Sequence, residues 1–147
     1  MKRILALGLS AALAGCATGT PHHGPLIAAP ANCIDIHFPI YFEEGSASVT
    51  PQADRLIVDA QRRSTGCTVT RIDVLGLADA PGGPAANLEL SQRRAMAVSD
   101  ALGHHGFQQA LVQQGAAGDI GALAPSGAAR PLRRRANVTI HLAPPAH

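Results

Sequence analysis

Gly76-Leu-Ala-Asp-Ala-Pro-Gly-Gly-Pro-Ala-Ala-Asn-Leu-Glu-Leu-Ser-Gln-Arg-Arg-Ala-Met-Ala-Val98 decides how the chain is read. It opens where Val69 to Leu75, an apolar β-branched run, reads as a strand. Ala80-Pro81-Gly82-Gly83-Pro84 then reads as a turn, and Asn87 to Leu102 as a helix ending near Gly103. Projected at about 100° per residue, Leu88, Ser91, Ala95, Val98 and Leu102 share one arc with Leu90, Ala97 and Ala101. Glu89, Gln92, Arg93, Met96 and Asp100 take the other arc. Arg94 falls near the middle of the apolar arc, with Asn87 within about 20° of it. A guanidinium on a packing face is costly unless paired. Asp79, fifteen residues upstream, is the partner that the sequence offers.

Such a site combines a carboxylate, a forked guanidinium and the unbonded N–H groups of a helix start. Together they suit a ligand carrying both an ammonium and a carboxylate, as an amino-acid terminus does. A purely structural reading stands beside it, in which an Asp79–Arg94 salt bridge fixes the loop on the helix. On either reading the two side chains are expected to touch when the site is empty.

Working outward, Ile36 to Phe42 reads as a first strand, and Thr50-Pro51 as an N-cap followed by proline at the first helical position. Ala53, Ile57 and Ala60 follow at helical spacing, and Arg62-Arg63 suit the negative end of the helix dipole. Leu111 to Gln114 and Asn137 to Leu142 are short strand candidates on either side of a Gly/Ala-rich loop, Gly115 to Pro131. With one Tyr and three Phe in the chain, the core must be built from Ala, Leu, Ile and Val. Strand–helix–strand–helix followed by two strands implies a two-layer α/β (α+β) sandwich.

The N-terminus reads as an export signal over residues 1–15: Lys2 and Arg3, an apolar run from Ile4 to Leu13, then small residues. Leu13-Ala14-Gly15-Cys16 resembles a bacterial lipobox, which implies cleavage and acylation of Cys16. An ordinary secretory signal with an incidental cysteine is the plainer alternative. Ala17, where an aspartate would mark inner-membrane retention, resembles outer-membrane sorting. Residues 16–31 form the lipidated cysteine and a Pro/Gly/Ala-rich tether, residues 32–143 one domain, and residues 144–147 a tail. Cleavage removes Lys2 and Arg3 and leaves ten basic residues against ten acidic, so the charge offers no support for nucleic-acid binding. In an oxidising compartment Cys33 and Cys67, each just before a strand candidate, form a disulfide if those strands lie side by side, or stay two free thiols.

Gly76-x-x-Asp79-x-x-Gly82, then Asn87-x-x-Leu90-Ser91-x-x-Arg94-Ala95-x-x-Val98, resembles the OmpA-like peptidoglycan-binding domain. Phe42-Glu-Glu-Gly-Ser-Ala47 with Val49-Thr50, the Leu102 to Gly106 segment and Val138-Thr-Ile140 extend the resemblance over most of the domain. It implies a βαβαββ fold with a mixed sheet and helices on one face. It also implies binding to the peptide stems of peptidoglycan, with Asp79 and Arg94 gripping the ammonium and carboxylate of meso-diaminopimelate. Asn87 and the neighbouring helix start would shape that pocket. Arg135 and Glu43 are weaker additions, a last basic contact and a pocket wall. The resemblance departs at Leu77-Ala78, where the family often carries polar residues, and at Arg135-Ala136-Asn137-Val138, where the family has Asn-Arg-Arg-Val.

An enzyme is not expected. No Ser or Cys stands in a nucleophile setting, and no pair of carboxylates is placed for acid/base work. His37, His141 and the His104-His105 pair lack companions at metal-ligand spacing, so neither metal nor cofactor is implied. Two roles follow: a lipid-anchored outer-membrane protein facing the periplasm and tethering the membrane to the wall, or an envelope scaffold whose main partner is another protein.

Overall fold

A computed structural model of the protein describes residues 32–79, 81–128, 130 and 133–146. The export signal, Cys16 and the tether lie outside the described residues. The elements run β1 (Ile36–Tyr41), α1 (Pro51–Arg63), β2 (Thr68–Gly76), α2 (Pro84–Leu102), β3 (Val112–Ala116) and β4 (Arg135–Ala143), with a wide helical turn at Gly103–Phe107 after α2. The sheet order is β1-β4-β2-β3. β4 is antiparallel to both β1 and β2, and β3 is parallel to β2, so the sheet is mixed, as expected.

Both helices cover one face. Residues that pair across the strands share that face by the period-2 alternation: Ile36, Ile40, Ile72, Val74, Ala136, Val138 and Ile140 point into the core. Ala53, Ile57 and Ala60 of α1 and Ala95, Val98 and Leu102 of α2 meet them. Fully burying an isoleucine such as Ile57, Ile72 or Ile140 stabilises the fold by roughly 1.5–3 kcal/mol. Thr50 caps α1 as its sequence predicts, its hydroxyl accepting from the Ala53 N–H at 3.2 Å, with Pro51 as the first helical residue.

α2 starts three residues earlier than its sequence pattern predicts, at Pro84. A proline in a Gly-rich turn also fits the first helical position, because the N–H it lacks would have no acceptor there. β3 and β4 likewise run longer at one end or both, since pairing to Tyr41 and Gly76 carries β4 back to Arg135 and Ala136. Gly76 sets the distance between β2 and α2. A Cβ built there would lie 1.9 Å from the Ser91 carbonyl oxygen, so only glycine permits this approach.

Cys33 and Cys67 are bridged, with Cα atoms 5.7 Å apart. The bridge does not need the two strands side by side: β4 lies between β1 and β2. The bridge spans the two strand starts across β4's C-terminal end. Closing a loop of 34 residues in the unfolded chain is worth about 4 kcal/mol on the chain-entropy account.

Candidate functional site

β2 ends at Gly76, and the next two residues are pinned on both sides by backbone. Leu77 N–H donates to Arg135 O at 2.9 Å and Ala78 N–H to Gly118 O at 2.8 Å. The side chains of Leu77 and Ala78 are buried, so the departure from the polar family pattern adds core here instead of exposing a bare pocket edge. Asp79 comes next, its side chain 24% exposed at the mouth of the Gly-rich turn.

Arg94 projects inward from the middle of α2, as the helical projection requires, and is wholly buried. Its partners are not those expected. Nε donates to Ser46 O at 2.8 Å, Nη1 to Leu77 O at 2.8 Å and Nη2 to Glu43 O at 3.3 Å. The guanidinium carbon lies 5.1 Å from the centre of the Phe42 ring, within cation–π range. Three backbone carbonyls and an aromatic face thus satisfy the buried charge. Among the described residues no ion pair within 4 Å joins Arg94 to Asp79, which corrects the expected contact. The two still feel each other: burial lowers the Arg94 pKa, and the Asp79 carboxylate opposes that shift.

Asp79 is paired instead with Arg134, whose Nη1 lies 3.7 Å from Asp79 Oδ2 and 3.5 Å from Glu44 Oε2. Arg135 belongs to the other side of the sheet. Strand alternation puts it in the row of Asn137 and Thr139, where it lines a shallow groove of about 440 Å³ with His37 and Pro39. The structure therefore brings Arg134, and not Arg135, to the carboxylate. Parity held the signal: Ala136 and Val138 face the core, and Arg134 shares their phase.

Glu43 contributes its carbonyl, while its side chain is exposed. Asn87 is buried in the first turns of α2 and donates from Nδ2 to Asp119 Oδ2 at 3.1 Å. Its Oδ1 would lie 3.1 Å from a Cβ at Gly82, which has φ +106°, so Asn87 packs beneath the turn and shapes it. Ser91 completes the support: it donates to Leu88 O at 2.7 Å and accepts from Gly118 N–H at 3.0 Å. Asp119 and Gly118 come from a loop in which the sequence had marked no site residue. The N-cap of α2 is Gly83, four residues beyond Asp79 in the chain, and it offers no side chain to the first helical amides at the positive end of the helix. The turn into α2 thus carries a carboxylate in contact with Arg134 and within the field of Arg94, and it ends at a helix start without a side-chain cap.

Residues 41–136 match the OmpA family. Among solved structures, the chain is similar to the peptidoglycan-associated lipoprotein from Burkholderia pseudomallei, at 26% identity and a TM-score of 0.55 over 70% of this chain and 89% of that one. It is similar to the cell wall anchor of the T6SS from Pseudomonas aeruginosa, at 25% identity and a TM-score of 0.55 over 74% of this chain and 81% of that one. The C-terminal domain of Helicobacter pylori MotB shares the fold, at 20% identity and a TM-score of 0.57 over 74% and 86%. No curated protein matches the chain.

Proposed function

Because the chain belongs to the OmpA family, we propose that it binds peptidoglycan without chemistry, through the turn that carries Asp79. Two of the similar structures are named for the same task, a peptidoglycan-associated lipoprotein and a cell wall anchor. The observation that carries the proposal is the placement of Asp79, a part-exposed carboxylate on the turn that leads into an uncapped helix start, within the field of the buried Arg94 charge.

The ligand is the meso-diaminopimelate of a peptide stem, which bears an ammonium and a carboxylate on one carbon. Asp79 takes the ammonium, displacing the long contact to Arg134. The carboxylate sits against the first amides of α2. Arg94 supplies charge from below, and its 3.3 Å bond to Glu43 O is the weakest of its three and the one a ligand carboxylate replaces. Asn87 and Ser91 keep the turn in place. Arg134, freed from Asp79, becomes a second cation for the stem.

The proposed setting is a lipid-anchored protein of the outer membrane with its domain in the periplasm. Acylation at Cys16 holds one end, and residues 17–31 reach about 50 Å when extended, at roughly 3.4 Å per residue. Co-sedimentation with purified sacculi tests the proposal. The wild type pellets with the wall and Asp79→Ala stays in the supernatant. If neither folded protein pellets, the scaffold reading takes its place.

A further inference from the structure

The two edges of the sheet are built differently. β1, at one end, carries Pro39, which has no N–H and blunts the edge against a further strand. β3, at the other end, reads Val112-Gln-Gln-Gly-Ala116, and no charged residue occurs between Gly106 and Gly118. The phase of the β2–β3 ladder shows which groups face outward. Ile72 N–H donates to Leu111 O and Ala117 N–H to Gly76 O, so the odd-numbered residues of β3 bond inward to β2. The N–H and C=O groups of Val112, Gln114 and Ala116 point away from the sheet. Among the described residues no hydrogen bond to them is found outside the strand ladder.

Apolar surface flanks this edge on both faces. Met96 of α2, 54% exposed, walls a groove of about 260 Å³ with Ala95, Gln114 and Ala116 on the helix side. Leu75, 41% exposed, lies over Gly115 on the open side, and a Cβ at Gly115 would meet its Cδ1 at 3.2 Å.

We propose that β3 is a self-association edge, pairing antiparallel with β3 of a second copy about a two-fold axis at Gln114. The register is fixed by which groups face outward. Val112 pairs with Ala116 of the other copy, and Gln114 with Gln114. Each is a hydrogen-bonded pair, so every outward donor and acceptor on the five-residue edge finds a partner. A two-fold contact places each residue type opposite a residue of the same surface, which a charged edge would oppose and this uncharged one does not. The two four-stranded sheets then join into one of eight strands, and Met96 and Leu75 of each copy cover the seam. An edge this short gives a weak dimer, in the micromolar to millimolar range.

Sedimentation velocity tests this on residues 32–147, which contain every described strand and helix and the disulfide, over concentrations up to about 1 mM. The wild type is expected to shift from monomer to dimer. Gln114→Glu places like charges across the two-fold and is expected to weaken dimerisation at least tenfold. Gln114→Pro removes an outward N–H without touching the β2 ladder and is expected to abolish it, with the far-UV spectrum unchanged. Gln114→Glu alters only an exposed side chain, so it keeps the test open if the proline variant misfolds. Binding to sacculi should be retained in both variants when folded. A wild type that stays monomeric throughout overturns the proposal, as does a dimer that survives Gln114→Glu unchanged.

Discussion

Replacing Arg94 by methionine measures how far the site is built on this residue. Methionine fills much of the same volume, so little cavity opens. What is lost is the set of bonds to Ser46 O and Leu77 O at 2.8 Å, the longer bond to Glu43 O and the cation–π contact with Phe42. A hydrogen bond from a charged donor contributes about 1.5–3 kcal/mol, and a buried carbonyl left bare costs about 1–3 kcal/mol. Relief of the desolvation of the guanidinium offsets part of this. The balance is a loss of about 3–5 kcal/mol, against about 5–15 kcal/mol for a domain as a whole. At roughly 4 °C per kcal/mol the melting temperature should fall by about 10–20 °C. Thermal and urea unfolding followed by far-UV circular dichroism measure it. For comparison, Asp79→Ala removes a 3.7 Å contact to an arginine 43% exposed and should cost less than about 1 kcal/mol. An Arg94→Met protein that melts within about 4 °C of wild type would mean that these bonds do not hold the domain together.

Gly76→Ala should be among the most damaging single changes in the domain. Its Cβ would meet a helix backbone oxygen at 1.9 Å, β2 and α2 must separate, and a loss above about 3 kcal/mol or an insoluble product is expected. Stability at wild-type level on unfolding would sink that argument. A second prediction concerns pH. His141 bonds through Nε2 to Asp73 at 2.9 Å and through Nδ1 to Asp35 at 2.7 Å, and two carboxylates can be served at once only by the imidazolium. Asp73 and then Asp35 raise its pKa above the ordinary 6.5, against the nearby Arg71. The Asp35 pKa is lowered from 3.8, first by the Leu142 N–H, and that of Asp73 first by His141. The His141 contribution is therefore complete below about pH 6.5 and lost as pH rises through its raised pKa, and the aspartate contributions are lost on acidification below about pH 4. The gap in urea midpoint between wild type and His141→Asn should be widest between those limits and close at alkaline pH. A gap that does not change from about pH 5 to pH 9 contradicts the cluster.

Local chemistry made most of the fold legible. Thr50-Pro51 announced α1, and the period of Leu88 to Leu102 turned Arg94 inward, which the structure bears out. Sequence fell short where partners come from afar or are backbone. Arg94 is 48 and 17 residues from the carbonyls of Ser46 and Leu77, and a carbonyl has no residue type to betray it. Charge alone therefore points to Asp79, near enough to act through its field and too far for an ion pair within 4 Å. Arg134 was legible only through its parity with Val138 and Ile140, in a strand whose expected start at Asn137 stops short of it. His141 looked solitary because its carboxylates stand 106 and 68 residues away. The disulfide could be suspected from two strand starts, but not the strand between them.

The central claim is that Asp79 is the ligand-binding carboxylate of a turn whose framework does not depend on it. Co-sedimentation of residues 32–147 with sacculi containing meso-diaminopimelate, comparing wild type with Asp79→Ala, tests this most directly when both are shown to melt alike. The account predicts that wild type pellets with the wall and the equally stable variant remains in solution. A folded Asp79→Ala protein that pellets as wild type does would contradict it.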